Sequence, residues 1–378
     1  MAGTTDYRSN ALDGLRGIAA TSVIFYHAIL LHGVLVDTVL VAPIQSLGSP
    51  SDIAIKIALT LFNGHSAVLL FFVLSGFVLR MSLERATGPA HVVVTNFVLR
   101  RVLRLYPALM FCMACFLGIA AVCATVGWHG FPVLDIRLVL LNASLFDITV
   151  HGPSRTIQGE MLAVPFLLLA FYVAKKFGTS GMLGCLAFSI FAFETPALVF
   201  WAPNMNTWLP AFFFGMVAAD HRLRPYFAEA TGSALILLAL LFVFLRIFVH
   251  MNAVSGSLAQ MVLCAALVGS VYYADPKFAV IRFLRMKPIQ FLGRISYSLY
   301  LLNVLWLIVL SSIVGPIGLQ GQYPLVIGLL LGLVITALTI PLAILSERVF
   351  EQGGIRLGRF FSLASTAPKP AVKLAPAE

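Results

Sequence analysis

Apolar runs long enough to cross a bilayer recur along almost the whole of this 378-residue chain, and they limit the fold class before any single side chain is considered. A hydrocarbon core about 30 Å thick needs roughly 20 apolar residues in a helix. Such runs can be read at 12–35, 57–79, 102–126, 157–174, 181–200, 206–219, 232–249, 256–273, 289–313 and 323–346, the sixth of them short. With no water in the bilayer to satisfy a backbone, spans of this length form helices. The sequence therefore predicts an all-α, polytopic membrane helix bundle with about ten transmembrane helices. Composition agrees, with 60% hydrophobic residues, 11% charged residues and a mean hydropathy of +0.97. An eleventh stretch, IRLVLLNASLFDI, is too short and carries Arg137, Asn142 and Asp147, so it reads as interfacial or re-entrant.

A formal charge of +10 raises the question of nucleic acid, but the basic residues sit in short loops between the apolar runs. One alternating set of loops holds Arg80, Arg85, Arg100, Arg101 and Arg104, then Lys175 and Lys176, then Arg222 and Arg224, then Lys277, Arg282, Arg285 and Lys287, then Arg356 and Arg359. The other set holds little beyond Lys56, Arg137 and Arg155. Loops rich in Lys and Arg stay in the cytoplasm, which predicts both termini inside and an even number of spans. The polar start MAGTTDYRSN argues against a cleavable signal, so the first run is expected to remain as helix one. Residues 1–350 read as one membrane domain. Residues 351–378, ending ASTAPKPAVKLAPAE, read as a disordered cytoplasmic tail. No internal repeat is visible, which argues against a transporter built from inverted halves. The five cysteines all lie in apolar runs and read as small buried residues, with no metal set among them.

Charged groups inside apolar helices are costly and are expected to be functional. In LDGLRGIAATSVIFYHA, residues 12–28, Arg16 and His27 are eleven positions apart, so they share a helical face and stand about 16 Å apart along it. His27 is thereby expected near the bilayer middle. Asp13 is three residues before Arg16 and can pair with it. In FFVLSGFVLR, Ser75 and Gly76 introduce a hydroxyl and a bare backbone that suit either close helix packing or a donor site. In LRRVLRLYP, Arg100, Arg101 and Arg104 serve either as an orientation signal or as forks for phosphate. In SRTIQGEMLAVPF, Glu160 is a lone carboxylate, expected at the outer start of a long helix. FLGRISYSLYLLN adds Arg294, Ser296, Tyr297, Tyr300 and Asn303, of which Asn303 needs a partner.

These motifs, in this order, resemble the acyltransferase family 3 proteins, membrane O-acetyltransferases of bacterial surface polysaccharides. The likeness runs from about residue 10 to 350. Three positions depart from it: Arg155, Thr156 and Ile157 stand where Trp-Ser-Leu is usual, Leu69 replaces an acid, and Asn303 stands where a His often follows. The resemblance implies transfer of an acetyl or other acyl group from acyl-CoA to a hydroxyl of a cell-envelope or secreted glycan, in a bacterial inner membrane. A small lipophilic acceptor such as a macrolide is allowed by the same likeness, and an anionic-solute transporter is the rival outside enzymes. No permanently bound cofactor is implied; acetyl-CoA is the donor substrate. A sugar hydroxyl is a weak nucleophile, so a positioned base is useful, and His27 is the expected base. Arg16 is expected to position the cofactor or the helix, Asp13 or Glu160 orients the imidazole or balances its charge, and Ser75 or Gly76 offers oxyanion donors. CoA is made in the cytoplasm and carries several phosphates, for which Arg80, Arg85, Arg100, Arg101 and Arg104 are expected to supply the cations.

Overall fold

The computed structural model describes residues 2–31, 33–248 and 254–363. Among them every regular element is helical. In chain order these are α1 (Ala2–Ile29), α2 (Pro50–Leu61), α3 (Gly64–Glu84), α4 (Ala90–Thr125), α5 (Ile136–Ala143), α6 (Ser154–Leu162), α7 (Val164–Phe191), α8 (Met205–Ala218) and α9 (Arg224–Ala228). They continue as α10 (Gly232–Phe248), α11 (Val254–Tyr273), α12 (Ala279–Leu284), α13 (Lys287–Arg294), α14 (Ser296–Val314), α15 (Leu319–Gln322), α16 (Pro324–Leu345) and α17 (Gln352–Phe360).

Six stretches of the described residues are long and apolar enough to cross a membrane: Pro50–Glu84, Ala90–Thr125, Ser154–Glu194, Val254–Tyr273, Ser296–Ile317 and Pro324–Phe360. These six do not establish the expected count of about ten, and the differences from the ten runs are local. α8 has 14 residues, fewer than a straight crossing needs, and α10 is described over 17 residues up to Phe248. The runs at 157–174 and 181–200 fall in one stretch, Ser154–Glu194, as helices that meet at Gly178, whose φ of 66° and ψ of −150° lie outside the helical region. α1 has the length, 28 residues, but Asp13, Arg16 and His27 dilute its apolar character. The tail boundary also shifts. The chain passes from α16 through a π-helical turn, Ser346–Glu351, directly into α17, so residues 352–360 are helical where a disordered tail was expected. Residues 364–378 of that tail lie outside the described residues.

α1 is the wall shared by two buried clusters. Its Leu12, Leu15, Ala19 and Val23 pack with α3, α7, α8 and α11, while Ala20, Ile24 and Ala28 pack with α4, α14 and α16. This double burial is possible because α1 is apolar on opposite sides and keeps its polar groups on a narrow stripe between them.

α3 makes its closest packing against α8. Gly76 and Gly215 lie at the crossing, where a Cβ on Gly76 would strike the carbonyl oxygen of Phe212 and one on Gly215 that of Val73. Small residues let helix backbones approach this closely. The Gly76 N–H lies inside α3, where the helix's own ladder uses it, so Gly76 serves packing and offers no oxyanion donor. Gly76→Ala is expected to push the two helices apart and cost about 1–3 kcal/mol, the usual range for overpacking. The check is the thermal unfolding midpoint of the purified protein in detergent, and an unshifted midpoint would contradict the tight crossing.

Candidate functional site

Arg101 lies eleven residues past the start of α4, and Glu160 six residues past the start of α6, which begins on the side where α4 ends. At 1.5 Å per residue these are depths of about 16 and 9 Å from opposite ends. The two side chains therefore meet inside the bundle, and Glu160 is an interior residue rather than one at an outer helix start. Arg101 Nη2 stands 2.8 Å from Glu160 Oε2 and donates to Ser75 Oγ at 3.1 Å. Arg101 is buried, and its Nε has no hydrogen-bond partner.

The trio lines a narrow cavity of about 90 Å³ with Arg16, Arg104, Phe71, Phe72, Tyr297 and Tyr300. The Thr156 and Tyr300 hydroxyls lie 3.1 Å apart, and Tyr297 donates to the Leu105 carbonyl at 2.8 Å, so both rings are held in place. Two wider cavities adjoin this one. The first, about 690 Å³, is lined by Arg85, Arg100, Arg101, Arg104 and Arg359, with no carboxylate among the described residues of its wall. The second, about 510 Å³, has Arg16, Arg104, Arg285, Lys287 and Arg294 offset by Asp13 and Glu351. Arg104 lines all three. Asp13 and Arg16 form an ion pair of 3.8 Å along α1.

α6 is positioned by a buried histidine in the loop before it. His151 Nε2 lies 2.9 Å from the Leu301 carbonyl of α14, and Nδ1 lies 2.8 Å from Ser154 Oγ. Burial pushes its pKa down to about 4, so the ring is neutral at ordinary pH. A carbonyl only accepts, so Nε2 carries the proton and Nδ1 accepts from Ser154. Cys112 of α4 packs its Sγ 3.7 Å from the same ring. Asn303 turns its amide nitrogen to the Leu299 and Tyr300 carbonyls of its own helix, while its buried Oδ1 has no hydrogen-bond partner.

Of the residues singled out in the sequence, Arg16, Ser75, Arg101, Arg104 and Glu160 converge on the narrow cavity, and Arg85 and Arg100 line the wide basic one. His27 does not join them. It lies in the last turn of α1, exposed, with its ring edge-on to Tyr26 at a centroid distance of 5.6 Å. α1 ends at Ile29, two residues later. Arg80 is also elsewhere. Its Nε meets Glu84 at 2.8 Å, its Nη1 the Met216 carbonyl at 2.7 Å and its Nη2 Asp220 at 3.2 Å, so it ties α3 to the end of α8. For Asp220, burial opposes ionisation but hydrogen bonds from the Arg222 backbone and Thr179, with the Arg80 charge, outweigh it and hold the carboxyl below its ordinary range. Arg359 was legible only as part of a basic tail; the amphipathic pattern of 352–360 was the signal that could have placed it. Tyr300, noted within FLGRISYSLYLLN, lines the cavity with Tyr297.

A family model described as an acyltransferase domain, acyltransferase 3, matches residues 9–348. The chain belongs to the acyltransferase 3 family. No curated protein and no solved structure matches it. The region matched to acyltransferase 3 contains the Arg101–Glu160–Ser75 cluster and His27, while α17 lies beyond it. Its apolar helices make this acyltransferase an integral membrane protein.

Removing one partner of a buried ion pair leaves an uncompensated charge, a loss of about 3–5 kcal/mol. Glu160→Ala is therefore expected to destabilise the acyltransferase severely, and adding Arg101→Ala is expected to restore part of the loss. Thermal unfolding of both variants in detergent checks this; additive losses would contradict a coupled pair.

Proposed function

We propose that this protein moves an acetyl group from acetyl-CoA, taken from the cytoplasm, to a hydroxyl of a cell-envelope or secreted glycan, in a bacterial cytoplasmic membrane with both termini inside. The observation that carries the reading is the arginine-lined cavity without a carboxylate, which adjoins the narrow aromatic cavity at Arg101 and Arg104. Guanidinium forks match phosphate oxygens, so the wide cavity suits the nucleotide end of the donor. The narrow cavity suits its slender thioester arm.

His27 is the proposed base. It stands on the same face of α1 as Arg16, about 16 Å further along the helix, a distance on the scale of an extended pantetheine arm. Exposure at the far end of α1 gives it access to an acceptor arriving from outside. The acceptor oxygen bonds to the acetyl carbon as the carbon–sulfur bond breaks. The hydroxyl proton goes to the imidazole, and the thiolate leaves to be protonated as free CoA. Glu160 suits the base role poorly, because taking a proton there would strip Arg101 of its buried counter-charge. Its role is to hold Arg101, whose unpartnered Nε, with the Ser75 hydroxyl, is a donor for oxygen of the donor arm. Arg16, paired to Asp13, sits where the 510 Å³ cavity meets the narrow one and positions the arm. The family match favours acyl transfer over solute transport.

Two measurements test this reading. His27→Ala is expected to lose roughly 10²- to 10⁴-fold in acetyl transfer while the protein still reaches the membrane, the usual contribution of a general base. Near-normal transfer by that variant would end the base assignment. Arg104→Lys keeps the charge but loses the planar fork, so acetyl-CoA binding to purified protein is expected to weaken. Unchanged affinity would remove Arg104 from the donor site.

A further inference from the structure

We infer that α17, beyond the family-matched region, forms one wall of the donor's phosphate site, and that Arg359 on it is a phosphate-binding residue. The inference rests on the acyl-CoA reading above. α17 lies along the first turns of α4. The contact is close because Gly354 has no side chain: a Cβ there would strike the Leu103 carbonyl. The residues after α17 are then fastened to α4 by three hydrogen bonds. Asn96 donates its amide nitrogen to the Leu363 carbonyl at 3.1 Å and accepts from the Leu363 N–H at 2.7 Å. Arg100 Nε donates to Ser362 Oγ at 2.9 Å.

This fastening puts Arg359, Ile355 and Leu363 into the wall of the 690 Å³ cavity that also holds Arg85 and Arg104. Cations gathered with no carboxylate in the wall repel one another, and the ligand that relieves the repulsion is a polyanion. The neighbouring cavity of 510 Å³ differs because Asp13 and Glu351 already offset its cations. The nucleotide end of CoA carries a 3′-phosphate and a diphosphate around a flat base. The mixed wall of arginines with Ile355 and Leu363 offers both the cations and an apolar surface for such a group. Arg100, bound to Ser362, helps hold the wall in place.

The test uses the full chain purified in detergent, with acetyl-CoA and adenosine 3′,5′-bisphosphate as probes in calorimetry. Arg359→Ala is expected to weaken both by about tenfold or more, the scale of one charge-assisted hydrogen-bond set, and Arg359→Lys to recover part of the loss. Kinetics with S-acetylpantetheine, which has no phosphate, separate binding from scaffolding: the ratio of KM for acetyl-CoA to KM for S-acetylpantetheine is expected to rise in Arg359→Ala. Equal losses with both donors would reduce α17 to a scaffold and overturn the phosphate role. Undiminished affinity of Arg359→Ala for acetyl-CoA would overturn it while leaving the donor reading intact. Failure of the wild-type protein to bind acetyl-CoA would overturn both.

Discussion

A guanidinium inside an apolar bundle has to be matched by an acceptor, and in this protein that need is met by Glu160 reaching Arg101 from the opposite end of the bundle. The pairing constrains three elements together. α4 must enter far enough to carry Arg101 to mid-depth, α6 must start at a fixed height above it, and α3 must present Ser75 beside both. The height of α6 is set in turn by neutral His151, wedged between Ser154, Cys112 and the Leu301 carbonyl. A small polar core is thus built from residues of four helices and one loop. Its cost in desolvation is recovered only if every member keeps its partner.

α1 stands between the two apolar clusters and carries its polar groups along one stripe, with Asp13 and Arg16 at one end and His27 in the last turn. Arg16 therefore lies against the cavities around Arg104, while His27 is at the far end of the helix. The helix acts as a ruler. Its rise per residue, and no contact between the two side chains, sets the distance from Arg16 to His27.

The fold class was legible because apolar runs of bilayer length permit only helices or a closed barrel. The span count was less so, since run length alone does not reveal that α8 stops at 14 residues or that two helices meet at Gly178 with no loop between them. The residue types of the site were legible as costly groups in apolar surroundings. Their grouping was not. Arg101 and Glu160 read as belonging to opposite membrane faces because loop charge reports the nearest surface and says nothing of depth along a helix. Arg80 read as a partner for phosphate because its sequence neighbours are basic, whereas its acceptors, the Met216 carbonyl and Asp220, are distant in sequence. Contacts of that kind leave no local signal.

The same asymmetry of charge separates the two wide cavities and gives the site a direction. Arg104 faces both, but only one side supplies carboxylates, so a phosphate-bearing donor gains more by settling where none compete. From there the path inward narrows to the aromatic walls of Phe71, Phe72 and Tyr300. The space there is about 90 Å³, far less than the 690 Å³ of the wide basic cavity. Under the proposed function, charge would hold one end of an acyl-CoA among the arginines and size would admit only its narrower end.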